Sequence, residues 1–200
     1  MPRPKSITDE QIREAARAVF LEHGPAATVA QVAERLGVSH AALFQRTGSK
    51  ARLMVEALAV ERPRVMGLLD EAPPKRHAHE RLVELLVELH AFFARLVPGL
   101  IVLRAAGIAL PEPPGGRGGP PPPVALRVAL ATWLRAACES GAIGRCEPEV
   151  LADALLGAME ARCFNAYFGG RECAAEDDLD YVRRLVAGLV PTPRTRKPRS

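Results

Sequence analysis

Four hydroxyl residues divide the first 50 positions of the chain, and each stands directly before an apolar stretch with helical spacing: Thr8, Thr28, Ser39 and Ser49. Thr8 and Thr28 are each followed three residues later by a glutamine, the capping-box pattern that marks a helix N-terminus. A glycine, which supplies the left-handed backbone that ends a helix, follows each of the first three stretches: Gly24, Gly37 and Gly48. The pattern predicts four consecutive helices separated by short breaks.

The second and third of these helices are joined by a very short connection. Residues 28–46 form a predicted helix, a turn of about three residues at Gly37, and another helix, which is the arrangement of a helix-turn-helix. Val38 is expected to tuck under the helices and Leu43 to pack in the core. A plain corner between two helices has the same pattern, so the motif alone does not establish DNA binding.

The composition favours helices along the whole chain. Aromatic residues, which favour strands, make up only 4%, whereas the helix-forming residues Ala, Leu, Arg and Glu are abundant. The apolar fraction of 48% is enough to bury a sizeable core. Two hundred residues suit one domain, or one small and one medium domain. We therefore predict an all-α protein.

The formal charge is concentrated at the two ends of the chain. Residues 1–52 carry a net charge of +3, residues 53–190 carry −3, and the last ten carry +4. Clustered positive charge favours a nucleic-acid partner more strongly than the overall pI near 9.1 does.

The remainder of the chain predicts a larger helical region, with helices at about 77–96, 124–140, 148–168 and 176–189. Pro63 is expected to end or kink the fourth helix, and Pro98 permits a new helix start before an almost wholly apolar segment. Residues 111–123 contain seven prolines and four glycines, so an exposed loop is expected there. A tolerated insertion explains this loop better than a proline-recognition ligand.

The cysteines and histidines do not indicate a metal site. Cys138, Cys146, Cys163 and Cys173 form no C-x-x-C pair, and no histidine lies at metal-ligand spacing from them. Free and mostly buried thiols are favoured, and redox sensing remains an alternative. The sequence also lacks a nucleophile elbow and a phosphate loop, so we expect no enzymatic activity, no metal and no cofactor.

The apolar runs predict a cytoplasmic protein without a membrane partner. The opening residues MPRPKSITDE contain no apolar stretch, so no signal peptide is expected. The run LVPGLIVL, residues 96–103, is too short to cross a bilayer.

The spacing of several elements in residues 8–53 resembles the tetracycline-repressor (TetR/AcrR) family of bacterial transcriptional regulators. The matching elements are the helix ending at Gly24, the run TVAQVAERLGVS from Thr28, the pair Leu43-Phe44, and the S-K-x-x-L pattern from Ser49. They cover about the first quarter of the chain. The resemblance implies a homodimer whose two heads occupy successive major grooves of a pseudo-palindromic double-stranded DNA operator. It also implies a small-molecule effector that enters the body, changes the spacing of the heads and releases the DNA.

The resemblance gives the predicted parts of the chain their roles. They are a basic arm at 1–7, a DNA-binding domain at 8–62 with its helix-turn-helix at about 28–47, a ligand-binding and dimerisation domain at 63–190, and a basic disordered tail at 191–200.

The third helix offers few side chains to DNA, and those that packing does not need are His40, Ala41, Gln45 and Arg46. Gln45 can bind adenine through two hydrogen bonds, and Ala41 can contact a thymine methyl group. Phosphate contacts are predicted for Thr28, Ser39, Arg46 and Lys50, together with N–H groups at helix starts. Arg3 and Lys5 could reach the minor groove or the backbone. The alternative for each cation is a solvated surface charge.

Three positions depart from the family pattern. Phe44 replaces the usual tyrosine and lacks its hydroxyl, Arg46 replaces a histidine or tyrosine, and Thr47 replaces a phenylalanine. We expect the longer, permanently charged Arg46 to restore the phosphate contact that Phe44 cannot make. The small Thr47 predicts a looser junction.

The body is expected to hold an apolar effector pocket, with candidate lining residues Met66, Phe93, Leu103, Trp133, Met159, Phe164 and Tyr167. Each of these is also explained as plain core or as dimer contact. The helices at 124–140 and 148–168 are the candidates for a dimer interface, through Ala154, Leu155, Ala158 and Cys163.

Overall fold

The computed structural model describes residues 7–60, 64–109, 122–170 and 175–193. Within these ranges the chain forms helices and no strand, which confirms the predicted all-α fold class. In chain order they are α1 (Asp9–His23), α2 (Val29–Leu36), α3 (His40–Thr47), α4 (Lys50–Leu58), α5 (Val65–Leu69), α6 (Ala78–Ala105), α7 (Pro122–Glu139), α8 (Pro148–Phe168) and α9 (Ala175–Leu189), with a 3₁₀ turn at Gly24–Ala26.

The chain divides into two compact units. The head unit comprises the described residues of Met1–Val60 and Arg95–Gly116. The body unit comprises those of Glu61–Ala94 and Arg117–Ser200. Helix α6 therefore contributes its first part to the body unit and its last part to the head unit.

Side-chain caps begin all four short helices of the head unit. The Thr8 hydroxyl accepts a hydrogen bond from the Gln11 N–H at 3.2 Å, and the Gln11 side chain accepts one from the Thr8 N–H at 2.9 Å. Thr28 and Gln31 repeat this capping box at the start of α2, at 3.2 and 2.7 Å. The Ser39 and Ser49 hydroxyls cap α3 and α4. Local sequence thus determines where each of these helices begins.

The core of the head unit forms around α1, with fully buried residues from each of its helices: Ala16, Phe20, Val32, Leu43 and Leu53. Val102 and Leu103 of α6 complete this core. Gly99 allows α6 to approach α4 closely, because a Cβ at this position would lie 2.7 Å from the carbonyl oxygen of Leu58. Val38 packs partly buried against the same core, as its place in the tight turn predicts.

Helix α6 runs through Pro98 without a break, so the predicted new helix start there is wrong. A proline inside a helix removes one backbone hydrogen bond and costs about 3 kcal/mol. Burial of Phe93 and Val97 before the proline, and of Val102 after it, offsets this cost.

Two other predicted boundaries also move. Helix α4 ends at Leu58, well before Pro63. Helix α7 begins at Pro122, so the last two residues of the predicted loop 111–123 are helical, because the first turn of a helix tolerates proline. Residues 111–121 of that loop, and residues 194–200 of the basic tail, lie outside the described residues.

Helix α6 is also long and apolar enough to cross a membrane by length and composition. Of its most apolar window, 56% is buried inside the protein. This burial is typical of a core helix, since a core helix and a membrane span share the same composition.

Candidate nucleic-acid interface

The connection between α2 and α3 has the geometry of a helix-turn-helix. Gly37 adopts left-handed backbone angles of φ 68° and ψ 33°, and its N–H donates to the carbonyl oxygen of Glu34 at 3.0 Å. The Val38 N–H donates to the carbonyl oxygen of Ala33, also at 3.0 Å. Ser39 then starts α3 by accepting from the Ala42 N–H at 3.2 Å. The turn is thus held at both ends by hydrogen bonds.

Helix α3 is divided sharply into a buried and an exposed face. Leu43 and Thr47 are 2% and 4% exposed, and the Thr47 hydroxyl donates to the carbonyl oxygen of Leu43 at 3.0 Å. The exposed face consists of His40, Ala41, Ala42, Phe44, Gln45 and Arg46. The side chains that the sequence assigns to base contacts therefore lie together on the open side of α3.

Phe44 and His40 form a stacked pair on this exposed face. Their ring centroids are 5.9 Å apart with an angle of 26° between the rings. Phe44 remains 46% exposed, although phenylalanine is among the residues most often buried. The pair forms an aromatic surface beside Gln45, which is itself exposed.

Arg46 and Lys50 flank the junction between α3 and α4, and both bind groups of the head unit. The Arg46 guanidinium donates to the carbonyl oxygen of Ile7 at 2.6 Å and forms an ion pair with Asp9. The Lys50 ammonium donates to the carbonyl oxygen of Pro25 at 2.6 Å. Each cation has further N–H donors, so these contacts orient the two charges without using all of their donors. The sequence pattern did not indicate either contact.

The hydroxyls of Thr28 and Ser39 serve chiefly as helix caps. Thr28 also donates to the side-chain oxygen of Gln31 at 3.1 Å, so its hydroxyl is engaged in both directions. The N–H groups that remain open at the starts of α2 and α3 are the natural phosphate donors at these positions. Arg3 and Lys5, the other two predicted DNA contacts, lie outside the described residues.

The seven candidate effector residues are placed in several different environments. Phe93, Trp133 and Met159 are buried in the body unit at 2% exposure or less, whereas Leu103 belongs to the core of the head unit. Met66 and Tyr167 are half-buried, and Phe164 is 41% exposed. The structure therefore does not bring all seven residues to one site.

A cleft of about 750 Å³ lies in the body unit between α5, α6 and α9. Leu68, Val83 and Val87 form part of its apolar wall. Arg64 and Arg183 are among the charged residues that line it. None of the seven candidate effector residues lines this cleft, which sequence periodicity did not reveal.

A polar cluster is buried in the body unit around His90. The His90 Nδ1 atom lies 3.3 Å from a carboxylate oxygen of Asp178, and the Arg162 Nε atom lies 2.6 Å from the other one. The Arg162 guanidinium also lies over the Tyr181 ring, 4.6 Å from its centroid. Burial lowers the pKa of His90, the Arg162 charge lowers it further, and the Asp178 carboxylate opposes both. No short-range sequence pattern indicates this cluster, because its members are far apart in the chain.

The Nε2 atom of His90 is buried and has no hydrogen-bond partner among the residues that the structure describes. Because a carboxylate can only accept, the Nδ1 atom facing Asp178 carries the proton in the neutral imidazole. The Nε2 atom is then a bare acceptor, which is costly to leave unsatisfied in a protein interior.

Two of the four predicted dimer contacts are corrected by the structure. Leu155 and Cys163 are 0% and 4% exposed, because they point into the core of the body unit. Ala154 is exposed and Ala158 half-buried. The exposed stripe of α8 instead follows a helical spacing of three and four: Val150, Ala154, Gly157, Ala161, Phe164 and Phe168. Helix α8 is apolar around most of its circumference, so its sequence could not distinguish the two faces.

Residues 12–57 match the model of the bacterial regulatory proteins of the tetR family. This match confirms, for the N-terminal helix-turn-helix region, the resemblance drawn from the sequence. A comparison with curated proteins gave no match.

Solved structures share this fold over most of the chain. One, from a study of the control of antibiotic production by bacterial hormones, has a TM-score of 0.60 and 23% identity, covering 90% of this chain and 96% of its own. The TetR transcriptional regulator SCO0520 from Streptomyces coelicolor has a TM-score of 0.53 and 24% identity, covering 92% and 99%. NalD, the secondary repressor of the MexAB-OprM multidrug efflux pump in Pseudomonas aeruginosa, has a TM-score of 0.57 and 18% identity, covering 91% and 95%.

Proposed function

We propose that the protein is a sequence-specific, DNA-binding transcriptional repressor of the bacterial cytoplasm. The observation that carries the proposal is the exposed face of α3, which displays Ala41, Phe44 and Gln45 while Leu43 and Thr47 fix the opposite face in the core. A helix held in this way can enter a major groove and present its side chains to base edges.

The roles of the exposed residues follow from their chemistry. Gln45 offers both a donor and an acceptor, which matches the paired groups on the major-groove edge of adenine. Ala41 is small and apolar, as contact with a thymine methyl group requires. Lys50 lies at the first turn of α4 and supplies a phosphate contact that does not depend on base sequence.

Arg46 has two possible roles. It can bind a phosphate, or it can serve only to hold the start of α1 through Ile7 and Asp9. We favour the phosphate role because the arginine is exposed beside the α3 face and keeps further N–H donors.

A homodimer follows from the exposed stripe of α8. Val150 and Phe168 at its two ends are 67% and 74% exposed, and between them lie three small residues and Phe164. A contiguous apolar stripe of this length is typical of a protein interface. A second copy, packed through the same face by two-fold symmetry, would pair the two heads for a pseudo-palindromic operator.

The effector is proposed to bind in the body unit and to release the operator. It is expected to be mostly apolar, as the ligands of protein pockets commonly are. Redox regulation through Cys138, Cys146, Cys163 or Cys173 is the second candidate, and the contact between the Cys138 and Cys146 sulfurs favours it.

The DNA proposal is tested by selecting bound sequences from a random duplex pool with the full chain. Gln45→Ala is expected to relax the preference at one base position per half-site. Lys50→Ala should weaken binding to all sequences and reduce the slope of log affinity against log salt by about one unit. Arg184→Ala, which removes an exposed cation from α9, is the matched control and should change neither. Failure of the wild-type chain to enrich any sequence would refute the proposal.

Asp9 provides a direct test of Arg46. If Arg46 binds phosphate, Arg46→Ala weakens operator binding and Asp9→Ala, which frees the guanidinium, leaves it unchanged or stronger. If Arg46 serves only to hold α1, both variants lower the unfolding temperature and neither changes the salt slope.

A further inference from the structure

Two cysteines at the connection between α7 and α8 are in direct contact. Cys138 lies in the last turn of α7, and Cys146 lies two residues before Pro148, where α8 begins. Their sulfur atoms are 3.0 Å apart. A disulfide bond is about 2.05 Å long, so the two atoms need to close by only about 1 Å.

The connection is held in place by hydrogen bonds, so the contact does not depend on a chance arrangement of a free loop. The Ala142 and Ile143 N–H groups donate to the carbonyl oxygen of Ala137 at 2.9 and 3.2 Å, and both side chains are buried. The Gly144 N–H donates to the carbonyl oxygen of Pro191 at 2.7 Å. The two sulfurs are therefore kept near each other by ordered backbone on both sides.

The pair also differs from the third described cysteine in burial. Cys138 and Cys146 are both half-buried, in contrast to Cys163, which is 4% exposed. Cys163 lies in the core of the body unit, so we expect a small oxidant to reach the pair more readily than Cys163.

The hydrogen bonds assign different parts to the two thiols. Burial, the hydrogen bond to Cys138 and nearby negative charge raise the pKa of Cys146 to about 12. The Cys138 thiol donates to the carbonyl oxygen of Gly144 at 3.3 Å, which leaves its sulfur to accept from the Cys146 thiol. The Cys138 sulfur is the acceptor in the pair, and it is the atom we expect to meet the oxidant.

We propose that Cys138 and Cys146 are a redox-active pair that a hydroperoxide converts into an intramolecular disulfide. The Cys138 sulfur attacks the terminal oxygen of the hydroperoxide and the O–O bond breaks. The thiol proton passes to the departing oxygen, which leaves as the alcohol, or as water when hydrogen peroxide is the oxidant, and Cys138 becomes a sulfenic acid. The Cys146 sulfur then attacks the sulfenic sulfur, the S–S bond forms, and the hydroxyl group leaves as water with the Cys146 proton. Two thiols are oxidised by two electrons, and one peroxide O–O bond is reduced. A dithiol reductant reverses the change by exchange.

The proposal is independent of DNA binding, since its readout is chemical. Among the three described cysteines, it assigns the redox role to Cys138 and Cys146, whose sulfurs are in contact, and not to Cys163, which is buried.

The experiment treats the fully reduced, full-length protein with substoichiometric hydrogen peroxide, counts free thiols and maps the cross-linked peptides by mass spectrometry. We expect each equivalent of peroxide to remove two thiols and to give one intramolecular cross-link joining Cys138 and Cys146, which dithiothreitol reverses. Cys163→Ser is the matched control and should leave the cross-link unchanged.

Single variants separate the two steps. Cys146→Ser should stop the reaction at a sulfenic acid on Cys138 that a dimedone probe captures, and Cys138→Ser should abolish the fast reaction. The alanine variants at the same positions give the same readout if a serine disturbs folding. A cross-link to another cysteine, a persistent sulfenic acid in the wild-type protein, or equal loss of all four thiols would overturn the proposal.

Discussion

The head and body units begin their helices in different ways. All four short helices of the head unit carry a hydroxyl cap at the first position. In the body unit, Arg64 before α5 and Glu147 before α8 make no side-chain capping bond. In the head unit, the local sequence therefore determines where each helix begins. In the body unit, helix formation depends more on the burial of apolar faces, which defines the first residue of a helix less sharply.

The two units also expose different surfaces. The α3 face of the head unit is mixed polar and aromatic, whereas the α8 stripe of the body unit is small and apolar. A surface that reads DNA needs hydrogen-bonding groups in fixed positions, and a surface that pairs with a copy of itself needs apolar area.

Truncating a buried ring of the head unit should have the largest effect. Phe20 is 0% exposed at the centre of that core, so Phe20→Ala is expected to lower the free energy of unfolding by about 3 to 5 kcal/mol. Phe44→Ala removes the same ring from the exposed α3 face and should stay within about 0.5 kcal/mol. Urea unfolding followed by circular dichroism measures both, and equal losses would contradict the burial assigned to the two rings.

A methyl group added to two helical glycines should act with opposite sign in the two units. Gly99→Ala would place a carbon 2.7 Å from the Leu58 backbone oxygen, so a loss of about 1 to 3 kcal/mol is expected. Gly188 in α9 has nothing within 4 Å, and Gly188→Ala should stabilise the protein by up to about 1 kcal/mol. The same unfolding assay applies, and stabilisation by both substitutions would show that α6 does not approach α4 closely.

The difference in helix capping can be tested by removing the N-cap of a helix in the head unit and by adding one to a helix in the body unit. Ser39→Ala should cost about 1 kcal/mol, because the Ala42 N–H loses its acceptor. Glu147→Ser should supply the cap that α8 lacks and gain less than about 1 kcal/mol. Thermal unfolding temperatures report both changes, and a loss on Glu147→Ser would mean that the body unit needs this glutamate for another reason.

The smallest effect is expected from pH, because it depends on one group. Burial lowers the pKa of His90 in the folded protein. As the pH falls to the ordinary histidine pKa of about 6.5, His90 therefore takes up a proton in the unfolded chain before it does so in the folded protein. Stability from this group is complete above that pH and is lost as the pH falls through the lowered folded-state pKa. The difference between wild type and His90→Gln, measured from about pH 8 to about pH 5, should show this trend. A constant difference across that range would remove the role assigned to His90.

The contrast between the units explains what the sequence could predict. Some features of the head unit depend only on residues a few positions apart: the helix caps, the glycines that end helices, and the two faces of α3. The sequence therefore predicts these features closely. The contacts of Arg46 with Asp9 and of His90 with Asp178 join residues separated by 37 and 88 positions, and no short-range pattern encodes them. The buried face of α8 was missed for a related reason, since an almost wholly apolar helix has no clear polar side.

Because Val102 and Leu103 belong to its core, the head unit cannot complete that core before this later part of the chain is synthesised. Residues 7–60 contain all four capped helices, but their shared core also includes these two side chains, which come from a part of the chain made much later. During synthesis from the N-terminus, the helix-turn-helix can form its local structure early, yet its core is incomplete until α6 has left the ribosome. A DNA-binding fragment cut at residue 60 would lack these contacts permanently.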